Sequence, residues 1–268
     1  MWLNVAMLCL LLVTALYGAA VTFLYLRQEN ILFETVPIPE DRKQAFASFA
    51  WQVNHAGILL QGWLVSQQPQ DSRPFLIYYG GNNSEVSEYF AERDKLSANG
   101  FLYMNYRGYG ESEGRPSEPA LFADALYIFD QLLAQTGLSA DQIVLMGRSL
   151  GSGVACYVAK HRPVKAVILV TPYDSLVDVA QHNYSWAPVS WLVKHRFDSI
   201  DLAPSIHAPL FNLMASEDKL IPVAHSQRLA KAWAGSVTSV ILKGATHSDI
   251  NIHPEYFLRI NQFLQIYS

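Results

Sequence analysis

Cysteine is scarce in this sequence, and basic charge is not concentrated anywhere along it. The 268 residues include 2 cysteines, and 19 Lys and Arg stand against 23 Asp and Glu, which gives a net charge of −4. Scattered basic residues exclude the charged surface that nucleic-acid binding requires. Cys9 belongs to an apolar N-terminal run and Cys156 to a predicted helix of the body, so we expect no disulfide between them.

The signatures of metal and nucleotide sites are also lacking. No group of Cys and His has the spacing of metal ligands. The glycine-rich stretch GYGESEG at residues 108–114 lacks the Lys-Ser or Lys-Thr pair that completes a phosphate-binding loop. We therefore expect neither a metal nor an organic cofactor.

One long hydrophobic run is present, at the N-terminus. Residues 1–26 carry no charged side chain, and such a run can cross the ~30 Å hydrocarbon core of a bilayer. The alternative is a signal peptide cleaved near the small residues 18–20, but the run lacks a basic start and continues beyond that point. We expect a retained single-pass membrane anchor. Basic residues at 27, 42 and 43 favour a cytoplasmic body, but acidic residues accompany them, so the side stays open.

The rest of the chain alternates strand-like and helix-like segments. Residues 27–42 are a charged connector with prolines, and residues 43–268 follow as one predicted domain. Its strand-like runs include FLIYY, FLYM, IVLM and AVILV, and continuous apolar runs of this kind are typical of buried parallel strands. A hairpin is predicted around NHAG at residues 54–57. We expect the α/β class, with a mostly parallel central sheet and helices on both faces, preceded by one transmembrane helix.

A long insertion interrupts the alternation at about residues 176–206. It is too long for an ordinary connection between a helix and a strand, and it is rich in aromatic residues. It is either a cap over a pocket or an extra pair of structural helices, and the sequence leaves both interpretations open.

The stretch IVLMGRSLGSGVACYVA at residues 143–159 contains the motif G-x-S-x-G between a predicted strand and a predicted helix. Glycines on both sides of Ser149 allow strand and helix to approach closely while the serine adopts an unfavourable backbone conformation. The N–H of Leu150 then lies at a helix N-terminus, where it can donate to an oxyanion. We interpret Ser149 as a nucleophile.

A serine nucleophile needs a base, and the base needs an orienting carboxylate. His247 follows the last predicted strand, and the ends of parallel strands converge on one crevice, so it is our candidate base. Asp218 gives the chain order Ser, Asp, His and is favoured as the acid, with Asp174 as the alternative. We expect the remaining histidines to be ordinary surface residues, although two of them lie in the insertion and could touch substrate: His55, His161, His182, His195, His207, His225 and His253.

A second oxyanion donor is expected in the loop that follows FLIYY. The sequence there is Gly-Gly-Asn-Asn at residues 80–83, which offers several backbone N–H groups. Asn82 is the favoured donor, and Gly81 and Asn83 are the alternatives.

Four segments together resemble the α/β-hydrolase superfamily: GRSLGSG, NYRGYGESEG, SEDKLIP and GATHSD. More narrowly, they resemble its membrane-anchored Bem46-like branch, whose relatives often carry the label of S9-type peptidases, and the preceding anchor fits. The resemblance covers about residues 30–268 and implies the following site: Ser149 as nucleophile, His247 as base, Asp218 as acid, and Asn82 and Leu150 as oxyanion donors. Two positions depart from that branch, since Gly80 stands where a His is common and Asn105 where an Asp is common.

The predicted function is that of a membrane-anchored serine hydrolase. It would cleave ester or thioester bonds of small or lipid-like acyl substrates through an acyl-enzyme intermediate. The alternatives are a serine peptidase of the S9 type and a non-catalytic, membrane-tethered binding protein with the same fold.

Overall fold

The structure, a computed structural model, describes residues 2–65 and 71–267. Its centre is an eight-stranded sheet with the order β1-β2-β4-β3-β5-β6-β7-β8. The strands are β1 (Ala50–His55), β2 (Ile58–Val65), β3 (Phe75–Tyr79), β4 (Gly100–Met104), β5 (Ile143–Arg148), β6 (Ala166–Val170), β7 (Leu210–Ala215) and β8 (Val237–Leu242). Strands β3 to β8 run parallel, and β1 and β2 pair antiparallel at one edge.

Helices cover both faces of this sheet, so the predicted fold class is confirmed. The helices are α1 (Trp2–Leu32), α2 (Glu40–Ala45), α3 (Ser87–Phe90), α4 (Glu118–Thr136), α5 (Leu150–His161), α6 (Leu176–Asn183), α7 (Val189–Leu192), α8 (Ser199–Leu202), α9 (Val223–Ala232) and α10 (Tyr256–Ile266). The central strands are buried on both sides, which explains why their sequences are continuously apolar rather than alternating.

The core has two layers because successive side chains of a strand point to opposite faces. In β3, Phe75 and Ile77 pack in the layer beneath α4 and α5, whereas Leu76 and Tyr78 pack in the layer beneath α3 and α10. Both layers extend across the sheet and keep the parallel strands side by side. The carboxyl ends of these strands therefore lie in one row.

The predicted hairpin is present, and a short turn precedes its first strand. Residues 47–49 form a short 3₁₀ turn, and β1 begins at Ala50. Ala56 and Gly57 both have positive φ, 53° and 80°, as a two-residue hairpin turn with the right twist requires.

The N-terminal hydrophobic run is one continuous helix, α1. The helix is long and apolar enough to cross a membrane, with a mean hydropathy of 2.3 in its most apolar 18-residue window, and none of its residues 2–32 is buried. It extends to Leu32, beyond the predicted end of the span at residue 26. The extra turns carry polar side chains that contact the insertion, which supplies tertiary support for them.

Candidate active site

Ser149 lies at a sharp turn between β5 and α5. Its backbone has φ 51° and ψ −118°, in the left-handed region that non-glycine residues rarely occupy. A Cβ added to Gly147 would lie 2.3 Å from the carbonyl oxygen of Gly151, and one added to Gly151 would lie 2.1 Å from that of Tyr79. Glycine is therefore required at both flanking positions, because any side chain would push α5 off the sheet.

His247 lies beside this serine, on the loop that follows β8. Its Nε2 is 3.0 Å from the Ser149 Oγ, and its Nδ1 is 2.7 Å from the Asp218 Oδ2. A carboxylate can only accept, so the Nδ1 carries the hydrogen and the Nε2 is free to accept the serine proton. The structure thus brings the three predicted residues together in the order hydroxyl, imidazole, carboxylate.

Asp218 is held in place by its own loop. Its Oδ1 accepts the backbone N–H groups of Leu220, at 3.0 Å, and Ile221, at 2.7 Å. Its other oxygen remains for His247, and its side chain is only 2% exposed. The aspartate therefore presents one fixed lone-pair direction to the imidazole.

Asp174, the alternative acid, lies away from His247. Its Oδ1 is 2.7 Å from the Nδ1 of His225, and its Oδ2 accepts a 2.5 Å hydrogen bond from the Nε of Arg228. Burial raises the pKa of Asp174, but the hydrogen bonds from His225 and Arg228 outweigh it and hold the pKa below its usual value. Both carboxylate oxygens are thus occupied by α9.

Two histidines that we expected on the surface are buried, so that expectation is wrong for them. His225 is 5% exposed, because it pairs with Asp174. His195 is 9% exposed, its ring packs against Phe33, and burial lowers its pKa. The spacing of residues 225 and 228 predicts that they share a face of α9, but not that this face meets a buried aspartate. No local pattern indicates the burial of His195.

Arg148 is a site residue that the sequence analysis missed. It occupies the variable position before the serine, and its Nη2 donates to the carbonyl oxygens of His247, at 2.9 Å, and Ser248, at 3.3 Å. Its guanidinium lies 5.3 Å from the ring centroid of Tyr89, and the residue is buried. The residue next to the serine therefore fixes the loop that carries the histidine.

The two residues predicted as oxyanion donors both line the cavity in front of Ser149. Leu150 is the first residue of α5, so its N–H has no acceptor within that helix. Asn82 lies in the loop after β3, and its carbonyl oxygen accepts a 2.6 Å hydrogen bond from the Tyr109 hydroxyl. A Cβ on Gly81 would lie 3.7 Å from the Ser149 Cβ, so this loop passes beside the serine. Their role as donors remains a prediction.

The departure at Asn105 has a local explanation. Its Nδ2 donates a 3.0 Å hydrogen bond to the buried Glu85 carboxylate, and its Oδ1 accepts from the Val86 N–H at 3.1 Å. An ionised aspartate here would oppose the carboxylate of Glu85, so the amide suits this neighbour.

A cavity of about 270 Å³ extends from Ser149 beneath the insertion. Its walls are predominantly aliphatic, and the insertion contributes residues from Leu176 to His195. Helices α6 and α7 of the insertion lie over this cavity, as a cap would, and we call residues 176–206 the cap segment. The pocket is hydrophobic, and the serine at its wall has a histidine next to it. Such a pocket can hold an apolar acyl group next to a nucleophile.

A serine at a strand–helix turn, an aspartate after a later strand and a histidine after the last strand form the site arrangement of α/β hydrolases. The family model for the alpha/beta hydrolase fold matches residues 73–194. The chain belongs to the α/β-hydrolase superfamily.

Relatives and solved structures give the same family and fold. An uncharacterized protein of Mycobacterium tuberculosis is 30% identical over 243 residues, covering 89% of this chain and 86% of that protein. The alpha/beta hydrolase domain-containing protein WAV2 of Arabidopsis thaliana is 27% identical over 282 residues, covering 93% and 91%. The Pyrococcus furiosus esterase matches with a TM-score of 0.68 at 19% identity, covering 87% of this chain and 97% of that chain, which shows a shared fold.

Proposed function

We propose that this chain is a membrane-anchored serine hydrolase that cleaves acyl ester or thioester bonds. The observation that carries the proposal is the continuous hydrogen-bond chain from the Ser149 Oγ through the His247 ring to Asp218, with distances of 3.0 and 2.7 Å. The solved esterase among the structural neighbours is consistent with it. We assign the chain to the Bem46-like branch because its four motifs and its N-terminal helix resemble those of that branch.

The reaction has two halves. His247 takes the hydroxyl proton of Ser149 while the Oγ attacks the carbonyl carbon, and the carbonyl electron pair moves onto its oxygen. The tetrahedral intermediate collapses, and His247 gives the proton to the departing alcohol or thiol, which leaves an acyl-serine. Water then loses a proton to His247, attacks the acyl carbon and releases the carboxylic acid, with the proton returning to Ser149. Asp218 keeps the imidazole in one tautomer throughout.

The oxyanion of both intermediates is stabilised by two backbone N–H groups, those of Leu150 and Asn82. Leu150 acts from the helix N-terminus, where the peptide dipoles add a favourable field. The Tyr109 hydroxyl donates to the carbonyl of Asn82, which holds the loop on the C-terminal side of the Asn82 N–H. Preorganised donors of this type typically contribute about 3 kcal/mol each to transition-state stabilisation.

The anchor is assigned to α1. The helix exposes most of its apolar side chains from Trp2 to Leu26, and this exposure is favourable in lipid and unfavourable in water. A cleaved signal sequence would have the same composition, and intact-mass analysis of the membrane-extracted chain distinguishes the two, because a retained anchor keeps residues 2–26.

The test is activity-based labelling of the full-length protein together with turnover of p-nitrophenyl acyl esters. We expect Ser149→Ala to abolish both fluorophosphonate labelling and turnover, whereas the exposed-serine control Ser139→Ala behaves as wild type. Asp218→Asn should lower kcat by on the order of 10⁴-fold, because the imidazole loses its tautomer. Its matched control, Asp174→Asn, removes a buried aspartate that does not touch His247, so kcat of the folded fraction should be retained even if stability falls.

Wild-type protein that neither reacts with the probe nor turns over any acyl ester would refute the proposal and favour a non-catalytic binding protein. Turnover of peptide amides but not of esters would favour the peptidase alternative.

A further inference from the structure

The end of the membrane helix is part of the wall of the site cavity. Five α1 residues line it together with Ser149: Leu24, Tyr25, Gln28, Ile31 and Leu32. They recur at helical spacing along one side of α1, and that side faces the cap segment. The apolar helix therefore contributes directly to the space in front of the nucleophile.

Polar contacts fix this part of α1 against the cap segment. Gln28 makes two hydrogen bonds to the cap segment, donating to the Leu192 carbonyl at 3.0 Å and accepting from the Lys194 N–H at 2.9 Å. The Lys194 ammonium donates to Glu29 at 3.1 Å and lies 4.9 Å from the ring centroid of Tyr25. The side-chain amide of Gln28 thus donates one hydrogen bond to the cap segment and accepts one from it. These two bonds fix the position of α1 along the cap segment, so the wall that they share is a specific interface.

The cap segment also reaches along α1 into the apolar part of the helix. The Tyr17 hydroxyl donates to the Trp186 carbonyl at 3.2 Å, and the two rings pack edge to face with centroids 6.1 Å apart. Tyr17 precedes Leu26 by about 14 Å of helix axis. Trp186 is 49% exposed and Trp191 is 89% exposed. Exposed tryptophans beside a membrane helix are typical of the bilayer interface, so the cap and its cavity lie at that level.

We propose that the hydrocarbon chain of the substrate lies between α1 and the cap segment and enters from the surrounding lipid, so that α1 is a substrate-binding element as well as an anchor. This inference rests on the proposed function, and it narrows the substrate class to long-chain acyl esters or thioesters embedded in or delivered by the bilayer. The aliphatic wall runs from Leu24 to Leu150 beside the serine, which places the scissile carbonyl at Ser149 and the chain along α1.

The kinetic test compares two α1 positions that lie two residues apart, in full-length, detergent-solubilised protein. Leu24 lines the cavity, whereas Leu26 is 69% exposed and faces away from it. The variants are Leu24→Trp and the matched control Leu26→Trp, and the measured quantity is the ratio of kcat/KM for p-nitrophenyl dodecanoate to that for p-nitrophenyl acetate. We expect Leu24→Trp to lower this ratio by about tenfold or more, and Leu26→Trp to leave it unchanged. An unchanged ratio in Leu24→Trp, or the same fall in both variants, would overturn the inference.

A binding measurement separates failure of the inference from failure of the proposed function. Displacement of a fluorescent long-chain fatty acid from the Ser149→Ala protein needs no catalysis. In the Ser149→Ala protein, an added Leu24→Trp should abolish binding of the fatty acid and an added Leu26→Trp should not. This result would support the proposed acyl pocket even if no ester is turned over. Equal binding in both double variants overturns it even if the enzyme is active.

Discussion

At the residue scale, the proposed site depends on its three proposed catalytic residues and also on the neighbouring groups that hold these residues in position. Gly147 and Gly151 allow the backbone of Ser149 to adopt its positive φ, because β5, α5 and the end of β3 approach too closely there for any Cβ. Arg148 then ties the same turn to the histidine loop. The motif residues thus combine exposure of a hydroxyl with alignment of its base.

Arg148 is expected to act as a positioning residue. Arg148→Ala removes the hydrogen bonds to the His247 and Ser248 carbonyls, so the imidazole should lose its alignment with Ser149. We expect kcat for a short ester to fall on the order of 100-fold with little change in KM, since a shift of about 1 Å at a reacting group has that effect. The rate of fluorophosphonate labelling should fall in parallel.

The controls for this prediction are Arg148→Lys and Arg162→Ala. Lysine reaches the same carbonyls with one ammonium and should restore part of kcat. Replacing Arg162, which is partly exposed and pairs with Asp130, should not affect it. Loss of thermal stability without a change in the kcat of the folded fraction would contradict a positioning role.

At the element scale, α9 and the turn after β6 are joined by the buried Asp174 and His225 together with Arg228, whose side chain is half exposed. This group stands on the cap side of the sheet, since the N–H of Ile200 in α8 donates to the Asp174 carbonyl at 2.8 Å. The His182 ring of α6 packs edge to face on that of His225, with centroids 6.3 Å apart. Asp174 therefore links α9, through its carboxylate, to the cap segment, through its backbone carbonyl.

Asp174→Asn is expected to lower stability in a pH-dependent way. The folded-state pKa of Asp174 lies below its unfolded value, so its contribution is present above about pH 4 and is lost as the pH falls through the folded-state pKa. The variant should lower the free energy of unfolding by about 2 kcal/mol at pH 7, because the buried His225 loses its carboxylate partner, whereas the half-exposed Arg228 contributes little. Its stability should then decline less steeply than that of wild type below about pH 4. Denaturant unfolding across the acidic range measures both effects.

The exposed Asp201, at the other end of the cap segment, supplies the control for that measurement. Asp201→Asn should leave both the stability and its pH profile unchanged. Identical acid profiles for wild type and Asp174→Asn would show that the aspartate titrates alike in the folded and unfolded states.

At the scale of the whole molecule, α1 contacts the body from Tyr17 onward, and its polar and buried contacts are concentrated from Gln28 to Phe33. Phe33, the first residue after the helix, is 5% exposed and packs against the rings of His195 and Phe197, with centroids 5.1 and 6.5 Å away. Residues 2–27 precede this contact and expose most of their apolar surface. Removal of the apolar part of α1 before residue 28 should therefore leave most of the packing of the body intact.

Two truncations test this boundary. A chain that begins at residue 28 should be soluble and turn over short esters, because it keeps Gln28, Glu29 and Phe33 against the cap. A chain that begins at residue 34 should lose about 3 kcal/mol of stability, because the buried Phe33 ring is missing. Thermal unfolding and p-nitrophenyl acetate turnover measure the two effects, and equal stability of both chains would show that Phe33 does not support the cap.

The sequence by itself determined the α/β fold class, the alternation of elements, the long apolar helix and the serine turn. These follow from short-range physics, namely apolar periodicity, continuous buried strands and the steric needs of glycine and serine. The tertiary structure alone decided which aspartate lies beside His247, that His225 and His195 are buried, that Arg148 holds the histidine loop and that α1 lines the cavity. Each of these contacts joins residues far apart in the chain, so it depends on strand order and on where loops cross, which no local pattern encodes.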